Sequence, residues 1–391
     1  MKKILFVAIS ATLLAAGCQK TEIINHVPGE AMRFTTAMSK LTKGVGESDA
    51  DEKVDQQNLK AQDFKVWAYY TYADAINKVD PGRVYDGMEA LDVKYTEASQ
   101  WTTGQDYYWP GEGKSLDFFA VSTSNDWAVA EVKDEATGTV TTPAVLGVSV
   151  DIEGEGLAIG GRKLTVNGYG VDASNPNDDL MVAEFVRQHQ GMNGKNVSVH
   201  FKHALAKVQF RFTTNAGNDK IEVKSLKVAG LNTTGTLEAT EVADSYVETN
   251  GRVSVTLAWS DHDDAAEFTD DYEGNLELQA DVTDAEGKVT KNDKEFATWL
   301  VLPQVITDKT VTIEYDITSA TGNTRSFKHT FALTRAEEKD AEGKVIAGKE
   351  AFNEWKINQV VIYTINLSPN KITFVPSVQP WEDAKNLTDQ N

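Results

Sequence analysis

Four stretches in the second half of the chain alternate apolar and polar residues without a break, and a period of two admits only extended structure. In RVSVTLAW, Val253, Val255, Leu257 and Trp259 fall on one face, with Arg252, Ser254, Thr256 and Ala258 on the other. NLELQADV (Leu276, Leu278, Ala280, Val282), TVTIEYDI (Val311, Ile313, Tyr315, Ile317) and SFKHTFAL (Phe327, His329, Phe331, Leu333) repeat the pattern. Successive side chains of a strand point to opposite faces, so each run buries one face and wets the other, as antiparallel sheets do. Turn residues separate the runs: Gly-Asn at 322–323, and Glu-Gly at 286–287 and 342–343. The hexapeptide DAEGKV occurs at 284–289 and 340–345; too short for a domain repeat, it reads as two polar hairpin tips. No amphipathic helix is evident outside the extreme N-terminus. The expectation is an all-β, mostly antiparallel chain.

The first half is less regular. FKVWAYYTY (64–72), LDFFAVST (116–123) and KLTVNGYGV (163–171) read as strands with apolar residues on both faces. Between the halves, VSVHFKHALAKVQFRF changes phase. Val197, Val199 and Phe201 hold odd positions, whereas Val208, Phe210 and Phe212 hold even ones. An unbroken strand would expose one set, so a bulge, bend or break belongs between His203 and Lys207. With GMNGKN (191–196) as a connecting turn, this places a boundary near 195. The expected bodies span 44–195 and 196–391, two β domains in series.

The chain holds one cysteine, Cys18, in LLAAGCQK. A lone cysteine forms no internal disulfide, and no second sulfur or nearby histidine completes a zinc site. Upstream, Lys2 and Lys3 precede an uncharged run, Ile4 to Ala16, too short to span a bilayer but suited to a signal peptide over 1–17. The segment resembles a bacterial lipobox, in which the cysteine thiol is acylated and the peptide is cut just before it. Acyl chains at ~0.8 kcal/mol per buried methylene would hold Cys18 on a membrane. Loss of Lys2 and Lys3 takes the formal charge from −21 to −23. So acidic a chain is repelled by nucleic acid and anionic lipid, and no nucleic-acid partner is expected.

No catalytic constellation is legible: there is no Gly-x-Ser-x-Gly elbow, no phosphate loop and no His-Glu-x-x-His. The expectation is a non-enzyme with no cofactor and no metal. His200 and His203 lie three apart on a strand and so point to opposite faces. The acidic run SDHDDAAEFTDDYEGN (260–275) lacks the ligand spacing of a calcium loop and reads as a solvated loop, and NPNDDL (175–180) as a turn. Two aromatic clusters, Trp67 with Tyr69, Tyr70 and Tyr72, and Trp101 with Tyr107, Tyr108 and Trp109, suit a core better than a sugar-stacking platform.

Five blocks, WTTGQDYYWPGEGKSLDFFA, DDLMVA, VSVHFKHALAKVQFRF, WLVLPQ and EWKINQVVIYTINLSPNKITFVPSVQPWED, follow one another along the chain. In this order they resemble the fimbrillin family of Bacteroidetes, the subunits of type V pili. The resemblance implies two β-sandwich domains, export as a surface lipoprotein of the outer membrane, and assembly with other fimbrillin subunits into a fimbria serving adhesion or biofilm formation. It also implies a surface trypsin-like protease that removes an N-terminal segment and frees a groove for a neighbour's strand. On this chain the displaced strand would be MRFTT, with Met32 and Phe34, within a segment 18–43. Cleavage would fall at Lys43, with Lys40 and Arg33 as alternatives; a plain flexible tether is the other reading of 37–53. The candidate donor strands lie in 360–380: Val361, Tyr363, Ile365 and Leu367 on one face, then Ile372, Phe374 and Val378 around Pro376. Proline places that last strand at a sheet edge, where it either donates or merely completes the second domain. A monomeric, surface glycan-binding lipoprotein is the alternative function.

Overall fold

The period-two runs all lie in strands, and no α-helix occurs among the described residues. The chain was analysed as a computed structural model. It describes residues 31–381 except 39–62, 73–79, 81, 97–99, 112–113, 124–131, 134–139, 143–146, 152–160, 172–178, 193–195, 281, 284–288, 291, 347–349 and 369–370.

The first strands are β1 (Arg33–Met38), β2 (Phe64–Tyr70), β3 (Leu91–Tyr95), β4 (Trp101–Thr102) and β5 (Ser115–Ser122). A short pair, β6 (Val132–Lys133) and β7 (Val140–Thr142), precedes β8 (Gly147–Asp151) and β9 (Lys163–Gly170). Then come β10 (Met181–Ala183), β11 (Phe185–His189), β12 (Asn196–His203), β13 (Ala206–Thr214) and the 22-residue β14 (Lys220–Glu241). They are followed by β15 (Arg252–Val253), the 24-residue β16 (Val255–Leu278), β17 (Val282–Thr283) and β18 (Val289–Thr290). The remainder are β19 (Lys294–Val301), β20 (Gln304–Val305), β21 (Thr310–Thr318), β22 (Thr324–Ala332), β23 (Glu354–Trp355), β24 (Gln359–Ser368) and β25 (Lys371–Pro380).

The N-terminal half departs from the expected sandwich. Its sheet runs β10-β12-β1-β4-β3-β2-β5, and β10 pairs β5 as well as β12, so seven strands close on themselves. Closure follows from the aromatic content of the staves: one face of the ring gathers Met32, Phe34, Phe64, Tyr70, Trp101, Trp109, Phe118 and Phe201 into a single buried cluster. A closed ring has no edge to protect. β11 and β15 extend the sheet beyond β5.

The C-terminal half does place two sheets face to face. A four-stranded sheet, β19-β13-β24-β25, covers a sheet ordered β22-β21-β14-β9-β8, with β16 also on β14. Phe210, Phe212, Trp299, Ile313, Trp355 and Tyr363 fill the space between. Two pairings, β1–β12 and β13–β24, are parallel; the other ladders are antiparallel.

The phase change in VSVHFKHALAKVQFRF is a change of sheet. β12 ends at His203 inside the ring, and β13 starts at Ala206 in the four-stranded sheet. Hydrogen bonding therefore crosses residue 195 in both directions: β12 is a ring strand, whereas β8 and β9 pair through to β14. The acidic run at 260–275 is also strand and not loop, since β16 pairs along β14 through it and buries Phe268. Three register shifts in that ladder absorb the irregular sequence. Of the DAEGKV copies, 340–345 forms a tip closed by the Lys339–Val345 bridge, and 284–288 lies outside the described residues.

A third cluster joins the ring's outer face to the rest, and it explains the two-sided strands. On β5, Leu116, Phe118 and Ala120 face the ring interior, while Phe119 and Val121 pack outward with Leu164, Val182, Leu237, Leu302 and Ile362. Asp117 shares that outward face. It meets Arg187 Nε of β11 at 2.9 Å and Arg162 Nη2 at 2.8 Å, with Glu241 of β14 3.9 Å from Arg187. Burial raises the Asp117 carboxyl, and the Arg187 guanidinium draws it back. Gly251, at φ +71°, lets β15 close over this site, since a Cβ there would overlap the Arg187 carbonyl.

Two buried guanidinium groups share one carboxylate, and a buried charge left without its partner costs about 3–5 kcal/mol. Asp117→Asn is expected to lower unfolding stability by about that much, read as a drop in the urea midpoint.

Candidate functional site

The first strand is held by backbone on both sides and by rings beneath. Residues 33–38 pair in parallel with 196–201 of β12. On the other flank Phe34 pairs with Trp101, Ala31 bridges Tyr108, and Met32 N–H donates to Tyr107 O at 2.7 Å. Alternation sends Met32 and Phe34 inward, 4% and 5% exposed, and leaves Arg33 and Thr35 in solvent. Phe34 meets Phe64 and Phe118 edge-on at 6.1 and 6.2 Å. Trp101 Nε1 donates to Thr36 Oγ1 at 2.9 Å. Burying two such side chains contributes about 1.5–3 kcal/mol each. The strand is thus one stave of the ring, and without it β12 and β4 would each expose an unpaired edge over an aromatic slot.

Cys18, Lys40 and Lys43 lie outside the described residues. Arg33 opens the strand, and its guanidinium donates to Asp106 at 2.8 Å in solvent.

The candidate donor residues fall into two groups. β24 is interior to its sheet, parallel to β13 on one side and antiparallel to β25 on the other. Its Val361, Tyr363, Ile365 and Leu367 are fully buried. Tyr363 is also tied at its hydroxyl, which accepts from Trp355 Nε1 and donates to Leu333 O, each at 3.0 Å; burial pushes that hydroxyl's pKa up. β25, in contrast, is an edge with one neighbour. Its Ile372 and Phe374 are half-buried, and Val378 is 43% exposed. Phe374 stacks on Tyr363 at 5.0 Å and on Phe331 of β22 at 5.5 Å, closing the side of the two sheets. Pro376 sits opposite Tyr363, and its carbonyl accepts from Arg335 Nη1 at 2.9 Å.

Most of both aromatic clusters is core. Trp67, Tyr69, Tyr70, Trp101, Tyr107 and Trp109 are buried, and burial pushes the Tyr69 and Tyr70 hydroxyls up to about 12. His200 and His203 separate as expected. His200 Nε2 meets Ser198 Oγ at 3.0 Å and its Nδ1 meets Arg252 at 2.8 Å. His203 pairs with Asp179 at 2.5 Å and stacks on Trp381 at 4.1 Å. That role for Asp179, in a segment read only as a turn, had no local sequence signal. Nor did the second pairing of the three-residue β10. Among the described residues no group of three or more His, Cys, Asp or Glu side chains could hold a metal ion.

The fimbrillin-like family model matches residues 53–381. Solved structures similar to the chain include a fimbrial protein from Bacteroides vulgatus ATCC 8482, at 16% identity and a TM-score of 0.47, covering 90% of this chain and 99% of that one. A candidate cell adhesion protein from Bacteroides uniformis ATCC 8492 is 15% identical, with a TM-score of 0.40 over 89% of this chain and 99% of its own. Another, from Bacteroides ovatus ATCC 8483, is 10% identical, with a TM-score of 0.42 over 90% and 98%. No curated protein matches.

Two outcomes follow from the first strand's setting. Phe34→Ala in the uncut chain is expected to cost about 3–5 kcal/mol in urea unfolding, against at most about 0.5 for the exposed Thr35→Ala. Desolvation, then Arg252, holds the His200 imidazole down, from 6.5 to about 4. The unfolded chain therefore takes up this proton first, and the stability it withholds is lost as pH falls from 6.5 to about 4. With the ring partly exposed, that loss is on the order of 1–2 kcal/mol, and His200→Gln should flatten it in denaturation curves measured across that window.

Proposed function

The chain belongs to the fimbrillin-like family, residues 53–381 matching its model, and from that premise we propose that it is a non-enzymatic structural subunit of a cell-surface fimbria, a type V pilus, assembled by strand exchange. It is exported on the signal at 1–17 and carried to the outer membrane by lipid on Cys18. A trypsin-like surface protease then cuts after the first strand, and a neighbour's terminal strand takes its place, building a filament for adhesion or biofilm formation. Head-to-tail contacts of this kind give open filaments and not closed rings.

The observation that carries the reading is the match between β1 and β25. Met32 and Phe34 fill the slot two residues apart, and Ile372 and Phe374 repeat that spacing with a similar pair of side chains. A strand running in the direction of β1 would bring Phe374 to the place of Phe34 and Ile372 to that of Met32. β25 is also the terminal strand that can leave. Pulling out β24 would expose six buried apolar side chains, Val360 to Tyr363, Ile365 and Leu367, about 9–18 kcal/mol of burial and at least the stability of a whole domain. Losing β25 uncovers the half-buried Ile372 and Phe374 and the buried Pro376. The setting of β1 also discriminates among cleavage sites. A cut after Arg33 would leave Phe34 to Met38 seated, whereas Lys40 and Lys43 lie past the strand's end and a cut there frees it.

The test is limited trypsin digestion of the chain from Gln19 onward, followed by mass spectrometry and a sizing gel without boiling. Cleavage at Lys40 or Lys43 should release the first strand and give a ladder of heat-sensitive oligomers. Phe374→Asp should still be cut but give no ladder. A stable monomer with no preferred cut in this region would sink the mechanism.

A further inference from the structure

A cavity of about 650 Å3 opens beside the point where β12 hands over to β13, away from the first strand and from the pegs Ile372 and Phe374. Its volume lies within the range of small-molecule sites. We propose that it is a binding site for an uncharged saccharide.

Two imidazoles, each with an unpartnered Nε2, line it. His203, 1% exposed, is fixed at Nδ1 by Asp179 and across its ring by Trp381, yet its buried Nε2 has no hydrogen-bond partner. A carboxylate only accepts, so the Nδ1–H donates to Asp179 and Nε2 is the ring atom left to be matched. His262 lines the same cavity, and its Nε2 is likewise buried and unpartnered. Leaving such atoms unmatched costs about 1–3 kcal/mol each, which a wholly apolar ligand would not relieve.

The charges at the walls are largely paired. Lys202 Nζ lies 3.2 Å from Glu184, which also faces Arg252 at 3.4 Å, and the exposed mouth carries Glu354 and Lys356, one of each sign. This favours a neutral ligand over a phosphate or a nucleotide. What remains is an apolar surface, Leu257, Ile357 and the indole of Trp259, whose Nε1 is spent on Ala204 O at 2.7 Å. Hydroxyl groups, which both donate and accept and so match either state of an imidazole nitrogen, set on a ring with an apolar C–H face, answer both demands. A sugar ring has that combination; charged metabolites and plain hydrocarbons each satisfy one of the two.

The test is saturation-transfer NMR on the full chain with four probes: methyl galactoside, N-acetylglucosamine, lactose and glucuronic acid. Transfer to ring protons of at least one neutral sugar is expected, exceeding that to glucuronic acid. His262→Ala, which removes a polar ring nitrogen from the wall, and Val305→Arg, which puts a long charged chain on an exposed rim position, should each weaken binding about fivefold to tenfold. Thermal unfolding of both variants should match the parent, which separates a lost site from a lost fold. No transfer to any neutral sugar, a preference for glucuronic acid, or binding unchanged in both variants would overturn the proposal. The readout needs neither cleavage nor polymer, so its failure leaves the assembly reading standing.

Discussion

Everything in this molecule hangs on six buried residues, Phe201 to Ala206, in which the chain leaves one sheet system and enters another. A strand that changes phase cannot continue on the same two surfaces, so this segment must carry backbone through the interior, where each amide and carbonyl needs a partner. The partners come from every part of the chain. Ala204 N–H donates to Leu180 O, Leu205 O accepts from Asn358 N–H, and Ala204 O takes the Trp259 indole proton. His203 is clamped between Asp179 and Trp381, the residue just after β25. The crossover thus fixes the ring, the long β14–β16 ladder and the chain's last strand relative to one another.

That arrangement bears on how a terminal strand could serve a neighbour. β25 has a neighbour on one side only, the ten-residue ladder to β24, and is anchored at its far end, where Trp381 stacks on His203 and its N–H reaches Asn358 O at 3.3 Å. The half-buried Ile372 and Phe374 lie at the opposite end, where the chain joins β25 to β24. With that end tied covalently, a donor strand could extend only once the Trp381 end lets go of the crossover, so the stack on His203 would restrain its release. The buried Asp117–Arg162–Arg187 cluster lies on the ring's outer side. It ties β5 of the ring, and β11 beside it, to the segment leading into β9, which braces the slot's far wall.

What could be read from the sequence was what depends on neighbours in the chain. Alternation located the strands, the parity change located the crossover, and the proline in KITFVPSV located an edge. Pairing between distant segments was not legible. The ring closes because Met181 and Val182, two residues of a three-residue strand, find partners on β5, and nothing near DDLMVA announces a double pairing. The acidic run at 260–275 looked like a loop because its charge was visible and its partner was not. Lys227 and Val228 of β14, opposite Thr269 and Phe268, make it a strand. Of the slot, the sequence held the pegs Met32 and Phe34 but not the walls, since Phe64, Trp101, Phe118 and Phe201 come together only through the ring. The cavity was invisible for the same reason: His203 and His262 are far apart in sequence, and each alone has the look of an ordinary strand histidine.

In a strand-exchange mechanism the difficulty is not why a donor would bind but why it does not bind at once. On the proposed exchange, β1 and a neighbour's β25 would offer similar pegs to one slot, so the contacts themselves would discriminate little. Tethering does the discriminating. A strand joined to its own slot by a short linker competes at an effective concentration in the millimolar range, far above that of free subunits. While residues 39–62 connect β1 to β2, an incoming strand of equal affinity is excluded by that factor alone. A cut within the linker removes the advantage without altering a single contact in the slot, and the displaced strand then diffuses away on whatever lipid it carries. On this argument the scissile bond has to lie after Met38 and need not be in any particular sequence, which is why a polar, lysine-bearing linker suffices where a strict recognition motif is absent.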